Sequence, residues 1–189
     1  MLHLLAIALS ATLVAPPADT TKGVTLADVT LPATVDVAGH ALVLNGAAVR
    51  KKFIVKVYVA GLYLTMKSKD PDAILAADSA RRMALHFVHD VGKDKLCEAW
   101  NDGLKDNTPN PSAQLTADFK TLCDDMADIK DGQVMTMTYV PGTGTTIEIA
   151  GAAKGTIAGK DFADAVLRTW IGPKPGPGEG FKKGVLGAQ

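Results

Sequence analysis

The segment NGAAVRKKFIVKVYVAGLYL, residues 45–64, places an arginine and a tyrosine among small and aliphatic side chains. Arg50 follows a Gly-Ala-Ala stretch that we interpret as a loop, and Tyr58 has the same parity on the predicted strand that follows. Thr169 lies on the apolar side of a C-terminal helical pattern. A guanidinium and two hydroxyls beside an aliphatic pocket can hold a ligand with a carboxylate or carbonyl head and an apolar body. Arg50, Tyr58 and Thr169 are therefore the candidate ligand-binding residues.

The same three residues also have a purely structural interpretation. Arg50 would be a rim charge, Tyr58 a core residue and Thr169 a hydroxyl packed between helices. Spacing limits the ligand-binding hypothesis as well, because eight residues of straight strand span about 26 Å at ~3.3 Å per residue. Arg50 and Tyr58 share a head group only if the chain bends near residues 50–52. Otherwise they mark the two ends of a long cleft.

Hydrophobic periodicity predicts the elements that position these residues. Short strands broken at Pro32 and Gly39 precede a long strand from about Lys52 to Met66, whose alternate apolar residues face a core. Asp70 is the expected N-cap of a short helix. The remaining patterns predict a strand, two amphipathic helices, a hairpin meander and a last helix, in the segments RRMALHFVHD, DKLCEAWNDGLKDN, SAQLTADFKTLCDDMADI, GQVMTMTYV to TIEIAGAAKGTIAG, and KDFADAVLRTWIG.

This order of elements predicts an α+β fold. Neighbouring strands that pair antiparallel, with the helices grouped together, indicate a long sheet covered on one face by helices. A single domain over residues 24–189 accommodates all of these elements. The stretch PKPGPGEG near the C-terminus is rich in proline and glycine, so we expect it to run over the surface.

The cysteines and histidines indicate no metal centre. Cys97 and Cys123 fall in the two consecutive helical patterns, where a disulfide and a pair of buried free thiols are both consistent with the sequence. His86 and His89 are three residues apart on a predicted strand, so they point to opposite faces and cannot share a metal. Because no nucleotide-binding or metalloenzyme motif is present, we expect no cofactor.

The first residues resemble an export signal. The apolar stretch from Leu4 to Ala15 has the length of a signal-peptide core and is too short to span a bilayer. We therefore predict a signal peptide at residues 1–18 and a periplasmic or secreted mature chain. The alternative is an N-terminal helix packed on the domain, which Pro16 and Pro17 would end at once.

Charge and hydropathy exclude two classes of partner. The chain has 20 basic and 20 acidic side chains, so no net field favours nucleic acid. No segment after the leader is apolar enough to be predicted as a membrane span. A small apolar ligand with a polar head remains the expected partner.

Two blocks of sequence resemble the chalcone isomerase family. One is NGAAVRKKFIVKVYVAGLYL, and the other is AVLRTWIG near the C-terminus; the likeness runs from about Val43 to Gly187. With the exported start, the pattern resembles the bacterial chalcone-isomerase-like branch. The resemblance implies an open-faced β-sandwich with a cleft between a long antiparallel sheet and its helices. It places Arg50 on the family's cleft arginine and Thr169 on its C-terminal threonine.

The resemblance also bears on activity. Plant members cyclise a chalcone to a flavanone, while related plant proteins bind fatty acids. Tyr58 stands where the isomerases carry a threonine, and the tyrosine and asparagine of their active-site helix have no equivalent here, with Lys95 and Asp102 falling nearest. We therefore expect non-catalytic binding of a fatty acid or similar amphiphile in an envelope protein. The alternative is an isomerase or intramolecular lyase that acts on an enone, with Arg50 as its catalytic residue.

Overall fold

The computed structural model describes residues 23–188. The predicted signal peptide at residues 1–18 lies outside this range. Nine strands and five helices form within it: β1 Val24–Leu26, β2 Val29–Leu31, β3 Thr34–Val37, β4 His40–Lys52, β5 Val55–Leu64, α1 Pro71–Ala76, β6 Arg81–Phe87, α2 Lys93–Asn107, α3 Ala113–Asp124, β7 Val134–Val140, β8 Gly144–Ile149, β9 Ala152–Ile157, α4 Lys160–Ile171 and α5 Glu179–Val185.

The predicted α+β class is confirmed. Strands β3 to β9 form one seven-stranded sheet in sequence order, and every neighbouring pair is antiparallel. The sheet curls into a half-barrel, and helices cover one of its faces. The large side chains of this interface come from both layers and include Leu62, Leu85, Phe119, Leu122, Ile147, Phe162 and Trp170.

The opposite face of the sheet also has an apolar cover. The β1–β2 hairpin contributes Leu31 to a second cluster, which includes Val59 and Tyr63 of β5. The Tyr63 hydroxyl donates a hydrogen bond of 3.0 Å to the Pro32 carbonyl oxygen, which fixes the end of the hairpin against the sheet. Because Tyr58 belongs to the helix-side cluster, β5 is buried on both faces.

The predicted long strand beginning near Lys52 is wrong at its start. The Gly-Ala-Ala stretch that we interpreted as a loop lies inside β4, which continues to Lys52. The chain then reverses at Phe53 and Ile54, and β5 begins at Val55. Two runs of apolar residues separated by a short cationic stretch were therefore two paired strands.

The last helix, α5, packs closely against small residues of β4. A Cβ atom on Gly46 would lie 2.3 Å from the Gly184 carbonyl oxygen, so only glycine permits this approach. The Asn45 side chain donates to the Val185 carbonyl oxygen at 3.0 Å and accepts from the Ser68 amide at 2.8 Å. The stretch PKPGPGEG at residues 173–180 is mostly exposed, as expected, but the helix that begins at its end, α5, was not predicted and buries Phe181 and Val185.

A disulfide joins α2 and α3. Cys97 and Cys123 are bonded, and their Cα atoms are 5.1 Å apart. The bond closes a loop with a sequence separation of 26, for which the chain-entropy account gives a stabilisation of roughly 3–4 kcal/mol. It also holds α2 in place, and α2 forms one wall of the site described next. No helix within residues 23–188 is long and apolar enough to cross a bilayer.

Candidate functional site

A cleft of about 480 Å³ lies between the sheet and the helices, near the β4–β5 turn. Its volume is within the ~300–1,000 Å³ range of ligand pockets. The ends of β4, β5 and β6 form one wall, α2 and α4 form the other, and the loop after α4 closes one side. Its principal side chains are Arg50, Val57, Tyr58, Leu85, Phe87, Leu96, Trp100, Thr169 and Trp170.

Arg50 and Tyr58 lie directly opposite each other on paired strands. A register shift follows at Lys51, which pairs with Lys56, so the bulge and the turn bring the two candidate residues together. The Arg50 guanidinium carbon is 5.8 Å from the centre of the Tyr58 ring. The bend that a shared head group requires therefore exists, and Arg50 and Tyr58 lie together instead of at the two ends of a long cleft.

Arg50 is a half-buried cation with its donors available. None of the ion pairs among residues 23–188 includes Arg50, and neither does any of the side-chain hydrogen bonds found there. A guanidinium stays charged and presents a planar fork of donors that matches a carboxylate. Its position on an apolar wall would allow it to pair with an anionic head group.

The Tyr58 hydroxyl is oriented by a buried contact with α4. The Trp170 indole N–H donates to the hydroxyl oxygen at 3.0 Å, so the hydroxyl keeps its own hydrogen for another acceptor. Burial raises the pKa of Tyr58 above 10.0, although the nearby Arg50 charge lowers it in part. Tyr58 is therefore a neutral donor beside a permanent cation.

Aromatic rings form the apolar part of the site. Trp100 of α2 and Trp170 of α4 meet edge to face with ring centres 5.2 Å apart. Phe87 of β6 lies 5.4 Å from the Tyr58 ring. The two tryptophans were not among the site residues predicted from the sequence. They are the only two in the chain, and this scarcity was the available signal.

Thr169 lines the same cleft, but its hydroxyl hydrogen is used within the helix. It donates to the Val166 carbonyl oxygen at 2.8 Å. Its methyl group faces Gly103 of α2, where a Cβ atom would lie 2.5 Å away, so the two helices cross closely at this point. A ligand can still meet the Thr169 oxygen as an acceptor, while donation to a ligand would require breaking the helix bond.

The match to known proteins agrees with this geometry. A family model described as chalcone isomerase-like matches residues 23–187. The chain belongs to the chalcone isomerase-like family. A search of curated protein sequences finds no match. Among solved structures, a fatty-acid binding protein of Arabidopsis thaliana is similar, with 18% identity and a TM-score of 0.68 over 87% of this chain and 96% of that one. At this identity the likeness shows the shared fold.

The rim of this chalcone isomerase-like cleft is polar. Lys95 and Asp102, the residues nearest to the family's active-site helix positions, are both exposed on the α2 side. His89 and Asp90 line the cleft at the end of β6, and Lys130 pairs with Asp90 at 3.0 Å. No group of three metal-binding side chains is found between residues 23 and 188. Away from this rim, the side-chain donors that line the cleft include those of Arg50, Tyr58 and Trp100, while the Trp170 N–H is used by the Tyr58 hydroxyl.

Proposed function

We propose that this chain binds a fatty acid or a similar amphiphile without transforming it, with Arg50 anchoring the head group. One observation carries the proposal: the guanidinium of Arg50 and the Tyr58 hydroxyl converge on the wall of an apolar cleft. A carboxylate placed there would accept from both, while an alkyl chain would pack on Phe87, Trp100 and Trp170. Membership of the chalcone isomerase-like family and the fold shared with a fatty-acid binding protein support this function.

The direct test is a titration of a fatty-acid series into wild-type protein and Arg50→Ala. Loss of a charged hydrogen bond costs about 1.5–3 kcal/mol, so we expect affinity to fall roughly 10- to 150-fold. Arg50→Lys should also weaken binding, because an ammonium cannot grip both carboxylate oxygens. Lys51→Ala is the matched control, since it removes one charge from the same strand but Lys51 does not line the cleft. Equal fatty-acid affinities of wild type and Arg50→Ala would show that Arg50 does not anchor the head group.

The alternative is an intramolecular lyase that acts on an enone. It is favoured by one feature, the pairing of a fixed cation with an oriented hydroxyl, which could stabilise an enolate oxygen. Chalcone absorbance measured in parallel separates the two functions. Saturable chalcone consumption that disappears in Arg50→Ala would establish the enzyme in place of the binding protein.

We also propose that the chain acts in the periplasm or outside a bacterial cell. The apolar leader from Leu4 to Ala15 supports export, and so does the Cys97–Cys123 disulfide, because such bonds persist in oxidising compartments. Mass spectrometry of the protein from its native host should find a mature chain that begins between Pro16 and Lys22, with both cysteines oxidised. A soluble cytosolic protein that retains Met1 would contradict this compartment.

A further inference from the structure

The β4–β5 turn exposes two large apolar side chains. Phe53 is 92% exposed and Ile54 is 94% exposed, and Val55 beside them is 41% exposed. They are the two most exposed large hydrophobic residues in the part of the chain that the structure describes. Neither packs on either core cluster, so folding alone does not account for them.

The backbone at the turn adds a second observation. Phe53 has a φ of +55°, a left-handed conformation that glycine or asparagine adopts more readily than an aromatic residue. A phenylalanine at this position is unfavourable for the turn and gains no burial in return. Strained residues of this kind mark sites where a side chain serves a purpose other than folding.

Cations surround the exposed pair. Residues 50–57, RKKFIVKV, hold four basic side chains and no acidic one. Lys51, Lys52 and Lys56 are exposed, and none of them is in an ion pair within residues 23–188. Three carboxylates of α2 line the cleft opposite the turn: Glu98, which is paired with Lys95 at 2.6 Å, and Asp102 and Asp106, which are in no ion pair within residues 23–188.

We propose that this turn docks on the surface of an anionic lipid membrane. Phe53 and Ile54 would enter the interfacial layer, while Lys51, Lys52 and Lys56 would contact lipid phosphates. A bilayer suits two protruding side chains, because a protein interface needs roughly 800 Å² of buried surface on each partner and the turn is a narrow tip. The charge pattern selects anionic over neutral lipid.

The turn lies at the mouth of the cleft. Three residues at the turn also line the cleft: Phe53 within the turn, and Lys52 and Val55 on either side of it. Docking therefore brings the cleft opening to the bilayer surface. Docking does not depend on which ligand the cleft binds. Only a transfer of an amphiphile from the bilayer into the cleft would rest on the proposed function.

The test is flotation of the purified protein with vesicles of phosphatidylcholine alone, and with vesicles of equal parts phosphatidylcholine and phosphatidylglycerol. We expect binding to the anionic vesicles only, weakened by added salt. Ile54→Ser should reduce the partition coefficient roughly tenfold, because its side chain no longer gains from leaving water. Met66→Ser is the matched control: Met66 is 79% exposed at the other end of β5, and its loss should change nothing.

Two further measurements make the outcome decisive. Lys51→Gln combined with Lys56→Gln should weaken the preference for anionic vesicles, because two of the three lysine charges at the turn are removed, and should leave fatty-acid affinity unchanged, because neither lysine lines the cleft. Fatty-acid affinity of Ile54→Ser should equal that of wild type, so failure of docking and failure of the proposed function are distinguishable. Absence of binding to both vesicle types would overturn the proposal. Self-association that Ile54→Ser abolishes would assign the turn to a second copy of the chain and would also overturn it.

Discussion

Under the proposed function, Arg50 and Tyr58 favour a carboxylate over a neutral carbonyl as the head group of the ligand. The guanidinium offers several donors in one plane, and the Tyr58 hydroxyl adds one more from the neighbouring strand. A carboxylate has enough lone pairs for all of them and balances the charge of Arg50, while a ketone oxygen accepts only two bonds and leaves the charge uncompensated. The oriented contact from Trp170 keeps the Tyr58 hydrogen available for this purpose.

The candidate residues of this site were easier to predict from the sequence than the side-chain contacts they make. Arg50 and Thr169 follow from their chemistry and from the family resemblance, Tyr58 follows from its chemistry alone, and all three line one cleft. The contact between Tyr58 and Trp170 joins positions 112 residues apart, and no local pattern encodes such a pair. Arg50 and Tyr58 lie together because the chain turns at Phe53. The sequence did not predict this turn, because phenylalanine is not a residue that turns prefer.

At the scale of elements, the small residues of β4 are a packing surface for α5. Gly46, Ala47 and Ala48 let the helix backbone approach the strand, and Gly184 is its closest residue. Helix α5 in turn brings Phe181 to the Tyr58 ring, with ring centres 6.0 Å apart. The position of Tyr58 in the cleft therefore depends on how closely the strand and the helix pack.

This contact predicts opposite effects of one substitution at two positions of α5. In Gly184→Ala the new Cβ would lie 2.9 Å from the Ala47 carbonyl oxygen and from the Ala48 Cβ, so the helix must shift. We expect a loss of about 1–3 kcal/mol in the free energy of unfolding, measured by urea denaturation. Gly180→Ala has no atom within 4 Å of the new Cβ and should gain up to about 1 kcal/mol from helix propensity. Equal stability of the two variants would mean that α5 does not pack on β4 as described.

Some elements were predictable because a local signal sets them. Asp70 caps α1 as expected, accepting from the Asp72 and Ala73 amides, and the amphipathic spacing of α2 and α3 identified both helices. Helix α5 was missed because seven residues with two glycines and flanking prolines carry almost no helical signal. It forms because Phe181 and Val185 are buried against the sheet, a tertiary effect that overrides weak propensity.

All three tyrosines of the chain are buried, and they lie on different faces of the same sheet. Tyr58 lies on the helix side and Tyr63 under the β1–β2 hairpin. Tyr139 on β7 donates to the Asp78 carboxylate at 2.6 Å, and Arg81 lies 4.9 Å from its ring centre. Burial raises the pKa of Tyr63 to about 12, and burial together with the Asp78 hydrogen bond raises that of Tyr139 to about 12. With Tyr58 shifted in the same direction, no tyrosine should ionise at its ordinary value while the chain is folded.

This arrangement predicts the alkaline limit of the fold. Above pH 10 the tyrosines of the unfolded chain lose protons that the folded chain keeps, so the unfolded state binds fewer protons and stability falls as pH rises. Each such tyrosine lowers the free energy of unfolding by up to about 1.4 kcal/mol per pH unit until its folded-state pKa is reached. We expect stability to be unaffected by tyrosine ionisation below pH 10, and tyrosinate absorbance to appear together with loss of circular dichroism. Tyr63→Phe should make the decline less steep. Tyrosinate absorbance that rises near pH 10 in a chain with unchanged circular dichroism would contradict the burial of these side chains.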